Sequence, residues 1–207
     1  MDVKQFKQLP ILGILRQIEA DDIEPLVEAV ISGGLKTIEV TMNTKKANEL
    51  IRRIGILAGK RLVVGAGTVL TIDEMRKARD AGASFIVTPC LVDQVAHICV
   101  KEKMPFFPGA FTPGEIYNAW CAGATMVKVF PAKFFGPDYI KEIKGPFQDI
   151  ELLACGGVGR ENIRSFFSSG ASAAAFGASI FKKEWIKAGE FSRIESAIRE
   201  LIRESGF

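Results

Sequence analysis

The chain has one histidine, His97, among its 207 residues. That scarcity excludes a histidine-rich metal site and any triad that needs a second imidazole. His97 itself falls in a helical pattern with Val92, Val95, Ala96, Cys99 and Val100, so we read it as a helix-face residue rather than a catalyst. Cysteine is sparse as well. Cys90, Cys99, Cys121 and Cys155 form no CxxC pair and no dense framework, which argues for reduced thiols in a cytoplasmic protein. No apolar run approaches the roughly 18 residues of a membrane span. The polar start Met1-Asp2-Val3-Lys4-Gln5-Phe6-Lys7 lacks the apolar segment of a signal peptide. A dominant charge is missing too. The net charge of +3 comes with no basic run and no basic–aromatic stripe, so neither a nucleic-acid nor a membrane partner is expected. Small anionic substrates are compatible with it.

What is present is ordinary globular composition, 48% hydrophobic and 25% charged, with enough chain for one domain (1–207) and a large core. After a short N-terminal helix, strands and helices alternate. Strands are read at residues 11–16, 37–41, 62–68, 85–89, 105–110, 126–131, 151–155 and 173–177, from β-branched apolar runs bounded by turn residues. Between them lie helical patterns. Asp21 or Asp22 caps one that ends at Ser32-Gly33-Gly34, and Thr44 caps one running to about Gly59. Thr71-Ile72-Asp73-Glu74 and Thr112-Pro113-Gly114-Glu115 open two more, and the last spans about Phe191 to Glu204. Eight strands alternating with eight helical patterns, without a linker, fit repeated βαβ units closed as a (β/α)8 TIM barrel. An open doubly wound sheet is the rival arrangement.

The strand Met126-Val127-Lys128-Val129-Phe130-Pro131 carries the sharpest signal. Side chains alternate along a strand, so Lys128 shares a face with Met126 and Phe130 while Val127 and Val129 take the other. Lys128 is then either an edge-strand charge or an amine buried in a parallel sheet. Desolvation disfavours the charged form of an amine, and a neutral amine attacks carbonyls to form Schiff bases. Glu39 alternates in the same way between Ile38 and Val40. In a barrel, both point into the mouth, where active sites lie. The pair reads as a nucleophile with a proton shuttle, or else as a structural ion pair.

Other strand ends add to this. Gly156-Gly157 and Gly177, with Ser179 as cap of a short following helix, sit where this fold holds phosphate, although left-handed helix caps use glycine too. Gly65-Ala66-Gly67-Thr68 lacks the third glycine of a dinucleotide fingerprint. Its small residues are expected to leave room for a substrate.

These motifs together resemble the 2-keto-3-deoxy-6-phosphogluconate (KDPG) aldolases, which include the 4-hydroxy-2-oxoglutarate (KHG) aldolases. The likeness rests on Gly13-Ile14-Leu15-Arg16, Ile38-Glu39-Val40-Thr41, Gly65-Ala66-Gly67-Thr68-Val69, Lys128-Val129-Phe130-Pro131 and Gly156-Gly157-Val158, spread over nearly the whole chain. The resemblance implies a class I lyase, without metal or other cofactor, and a homotrimer. Lys128 matches the Schiff-base lysine, Glu39 the general acid–base residue, Thr68 a group holding the pyruvyl carboxylate, and Gly156, Gly157, Gly177 and Ser179 the phosphate end. Phe130 and Pro89 are expected to pack the apolar wall. Three positions depart from the family pattern. Asn43 stands where many members have a carboxylate-binding arginine, so Arg16 is expected to supply that charge, with Asn43 beside it. Cys155 stands where many have threonine, and the fourth strand ends in Thr88-Pro89-Cys90 rather than Ser-Pro-Gly. The galactonate-specific branch shares the first two departures. The implied reaction cleaves a phosphorylated 2-keto acid to pyruvate and glyceraldehyde 3-phosphate. Readings without a Schiff base are a phosphosugar isomerase or epimerase, or a phosphosugar-binding module.

Overall fold

In the computed structural model, which describes residues 1–207, nine strands form one parallel sheet. They are β1 (Ile11–Leu15), β2 (Thr37–Thr41), β3 (Val63–Gly67), β4 (Ile86–Val87), β5 (Phe106–Phe107), β6 (Gly109–Ala110), β7 (Val127–Val129), β8 (Leu152–Cys155) and β9 (Ala173–Phe176). Their spatial order is β5-β4-β3-β2-β1-β9-β8-β7-β6. The expected fifth strand is present but splits at Pro108, and this split makes nine strands of the expected eight. β5 pairs with β4, and β6 pairs with β7. The bonds on both sides continue through the break. Thr125 N–H donates to Phe106 O at 2.8 Å and Lys128 N–H to Pro108 O at 2.8 Å, while Gly109 N–H donates to Thr88 O at 2.9 Å. Proline offers no N–H to a ladder, yet its carbonyl still accepts. The two ends of the sheet therefore meet along one chain segment, giving the nearly closed barrel expected rather than the open sheet.

The helices follow the expected order, with differences at their ends. Thr71 and Thr112 form complete capping boxes with Glu74 and Glu115, and Pro113 stands at the first helical turn. Asp22 precedes the helix Ile23–Ser32 but makes no side-chain cap bond. Thr44 is not a helix cap. The helix there is Ala47–Ala58, with Lys46 at its N-cap, because Thr44 is drawn into a turn after β2. Ser179 is not a cap either. The next helix, Lys183–Lys187, has Lys182 at its N-cap, and Ser179 Oγ instead donates to Val158 O at 2.8 Å.

Two apolar layers follow from the two-residue period. Val127, Val129, Leu152 and Ala154 face outward into the layer shared with the helices. Leu12, Phe85, Val87, Phe107, Met126, Leu153 and Ala173 fill the barrel interior, and Phe6 from the N-terminal helix Val3–Phe6 plugs its base. The rings of Phe6 and Phe85 both meet Phe107 edge-on, with centroids 6.1 and 5.7 Å away.

β3 shows why glycine is needed inside. A Cβ on Gly65 would lie 2.4 Å from the Phe85 ring, and one on Gly67 would lie 2.1 Å from Glu39 Oε1. The room expected for a substrate is thus taken by the protein itself, by an aromatic ring below and a carboxylate above. Gly65→Ala should destabilise the fold by about 1–3 kcal/mol through overpacking, read as a lower urea midpoint at unchanged m-value.

Candidate functional site

At the C-terminal ends of the strands lies a cavity of about 910 Å³. Its floor carries Lys128. The strand that holds it, β7, is paired on both sides, so Lys128 is no edge charge. Its side chain is 5% exposed, with Nζ 5.1 Å from the Phe130 ring centroid. No ion pair joins it to Glu39 or to any other carboxylate within 4.0 Å. The structural ion pair considered from sequence is therefore not formed.

Glu39 stands on β2, 1% exposed, with its carboxylate over Gly67. Its Oε2 is buried without a hydrogen-bond partner. Buried polar atoms are almost always satisfied, and an orphan needs a reason. Burial raises the Glu39 pKa, and the charges of Lys128 and Arg16 only partly oppose that. A carboxyl group so placed keeps its proton to a higher pH than an exposed one and can pass it on. Cys155, 2% exposed on β8, lines the cavity beside Lys128. Burial pushes its thiol up, with the Lys128 charge opposing.

The far end of the cavity is built from two loops. Gly156 and Gly157 have φ of 93° and 80°, which favours glycine. Asn162 clamps their loop, donating from Nδ2 to Gly157 O at 2.8 Å and accepting from Gly159 N–H at 2.9 Å. Ser179 ties the second loop to the first through Val158 O. The amides of Gly157, Ala178 and Ser179 donate to no group of the chain, although all three residues line the cavity. Free amides converging on a concavity make an anion site. Gly177 lines it too, but its φ is not left-handed, and a Cβ there would make only ordinary contact with Ile14.

The remaining expected residues divide. Arg16 and Phe130 line the cavity. Thr68 does not line it but reaches it through Arg16, accepting from Arg16 Nη2 at 3.4 Å, in a left-handed conformation with φ of 56° that is unusual for a β-branched residue. Pro89 does not line the cavity, because its carbonyl is packed against Gly109. Asn43 is also apart from Lys128. It lines an adjoining cleft of about 470 Å³, whose wall with the first is Arg16, Gln17, Phe181 and Lys183. The turn after β2 carries Asn43 outward and leaves Arg16 and Lys183 as the cations shared by both spaces. Sequence reasoning missed Lys133, Lys182 and Lys183, which line the cavity with Arg16 and Lys128 and form no ion pair, against one acid, Glu184. Lys133 lies in a 3-10 turn after β7, and Lys182 and Lys183 stand at the start of the short helix after β9, where no periodic pattern marks them. The doublet Lys182-Lys183 after β9 was the one available signal.

The family model for KDPG and KHG aldolase matches residues 3–197. The 2-dehydro-3-deoxy-phosphogluconate aldolase of Haemophilus influenzae is 31% identical over 203 residues, 97% of this chain and 94% of that protein. The 2-dehydro-3-deoxy-6-phosphogalactonate aldolase of Escherichia coli is 34% identical over 176 residues, 84% of this chain and 86% of that protein. Among solved structures, a Legionella pneumophila KDPG aldolase with pyruvate captured as a covalent carbinolamine superposes with a TM-score of 0.88 at 26% identity, covering 95% of each chain. A native KDPGal structure gives 0.83 at 32% identity, covering 95% of this chain and 97% of that one. Together with a barrel whose mouth holds Lys128, Glu39 and free loop amides, these matches mean that the chain belongs to the KDPG and KHG aldolase family.

Proposed function

We propose that this protein is a class I aldolase that cleaves 2-keto-3-deoxy-6-phosphogluconate to pyruvate and glyceraldehyde 3-phosphate through a Schiff base on Lys128. One observation carries the reading: a lysine on an interior barrel strand, buried and unpaired, opens into a cavity with an orphan carboxylate near it and free amides at the far end. Lys128, as the free amine, adds to the C2 ketone, and loss of water gives an iminium. The iminium accepts the electrons of the C3–C4 bond as that bond breaks. Glu39, directly or through a water, takes the C4 hydroxyl proton and returns one to the enamine carbon. Hydrolysis frees pyruvate and the amine. Arg16 and Thr68 hold the carboxylate, and the Gly157, Ala178 and Ser179 amides hold the phosphate with Lys133 and Lys182 nearby. No three histidine, cysteine or acidic side chains cluster as metal ligands, and no step above requires one. The homotrimer and cytoplasmic setting belong to the same reading, as does a second activity on 4-hydroxy-2-oxoglutarate, giving pyruvate and glyoxylate.

An isomerase or epimerase would pair two acid–base groups across the substrate. Here the only carboxylate lining the cavity is Glu184, next to Lys182 and Lys183, while Glu39 is buried beneath its surface. A binding module would not need an unpaired, buried Lys128. The galactonate epimer is a substantive second reading. Cys155 lines the cavity with Lys128 and directly precedes the Gly156–Gly157 loop, which puts it alongside the middle of the substrate in this reading, and a thiol is a weak hydrogen-bond partner.

Borohydride with pyruvate should attach a three-carbon adduct to Lys128 alone, located by peptide mass spectrometry. An adduct on Lys133 instead, or none, refutes the assignment. Lys128→Arg should fold and lose turnover, because a guanidinium stays protonated.

Glu39→Gln should lower kcat by about 10²- to 10⁴-fold while raising Tm at neutral pH. The folded-state pKa of Glu39 lies above its unfolded value. Its ionisation therefore costs the wild type nothing below about pH 4 and progressively more as pH rises toward the folded-state pKa, above which the cost is constant. The Tm gap between variant and wild type should therefore widen as pH rises above about 4. A gap that is constant with pH would contradict the raised pKa.

Cys155→Thr should shift the ratio of kcat/KM for the two C4 epimers toward gluconate by about three- to tenfold, the worth of one neutral hydrogen bond. An unchanged ratio would remove Cys155 from the account of specificity.

A further inference from the structure

Contact with a substrate does not explain the turn after β2. Thr44 is 4% exposed. Its Oγ1 accepts from Gln17 N–H at 3.0 Å and lies 3.1 Å from Oγ1 of the fully buried Thr41. Gln17 follows β1 with φ of 53°, a left-handed conformation that is strained for a residue with a Cβ. Its side chain is anchored as well, Oε1 accepting from Lys183 Nζ at 2.7 Å. Three segments far apart in sequence thus converge on one exposed, strained glutamine.

What such an anchor fixes is the residue before it. Arg16 lines both the Lys128 cavity and the neighbouring cleft. A long guanidinium side chain at that divide has two places to go, and holding it in one costs rotamer entropy. In the structure it is turned to Thr68, itself left-handed. We propose that the hydrogen-bond chain Thr41–Thr44–Gln17–Lys183 is a positioning device that holds Arg16 on the Lys128 side, ready for the carboxylate of the 2-keto acid. The proposal rests on the reading that the carboxylate end of the substrate lies at Arg16. Thr44 and Gln17 touch no substrate in it. They bear the ordering cost before binding, so less is lost on binding.

The test is pyruvate affinity by titration calorimetry across a double-mutant cycle. Thr44→Val should weaken pyruvate binding by about three- to tenfold, the worth of one hydrogen bond, and Thr44→Ser should restore it. Arg16→Met should weaken it at least as much, and adding Thr44→Val to Arg16→Met should have no further effect. Lys183→Met, at an exposed position remote from the turn, should repeat the pattern at smaller size, and it serves if Thr44→Val fails to fold. Unchanged affinity in Thr44→Val, or an effect of Thr44→Val that persists in the Arg16→Met background, overturns the proposal, because a merely structural bond would act without Arg16. Borohydride trapping on the same proteins separates the two ideas. Intact coupling without an adduct on Lys128 counts against the Schiff base and supports the positioning device.

Discussion

Two ionisable side chains kept inside a parallel barrel, and kept apart, are the constraint on which the structure turns. Glu39 and Lys128 are 1% and 5% exposed, and no ion pair joins them. Removing an ion from water costs several kcal/mol even after relaxation, and an orphan carboxylate oxygen adds to that cost. A packed apolar interior would be more stable. The fold bears the cost through the rest of its core: Leu12, Phe85, Phe107, Met126 and Leu153 fill the interior beneath the two ionisable groups, and Phe6 seals the base.

The packing also dictates where the charges sit. Gly67 gives up its side chain so that the Glu39 carboxylate can lie against β3, and Gly65 does the same for Phe85. Strand pairing supplies the rest. Lys128 is registered against Gly109 on one side and Leu153 on the other, neighbours that offer its side chain no carboxylate. The break at Pro108 keeps this register, since the carbonyl that precedes Gly109 still accepts from Lys128 N–H.

Electrostatics extend outward from this floor. Arg16, Lys133, Lys182 and Lys183 ring the mouth without carboxylate partners, opposed by Glu184. The chain's near-neutral balance therefore hides a local excess of positive charge. Such a cluster draws small anions toward the cavity, and the free amides of the Gly156 and Gly177 loops give an anion directional contacts once it arrives. The Arg16–Thr68 contact and the anchored Gln17 show strain concentrated at the same rim, as is common where side chains must be held for function.

Much of this was legible in the sequence. Alternation of strands and helices argued for a barrel, the two-residue period assigned Lys128 and Glu39 to the inner face, and Thr71 and Thr112 marked their helices, because each of these signals is local. What depended on distant segments was not. Pro108 split a strand, since its effect depends on which neighbours its carbonyl meets. Thr44, a plausible helix cap by sequence, became the acceptor for Gln17. Asn43 went to the adjoining cleft, and Pro89 was turned against Gly109. Gly67 proved to be space for a carboxylate 28 residues earlier in the chain. Side-chain type and period are written residue by residue. Which groups share a cavity is set by register and closure across the barrel, and those are properties of the folded chain alone.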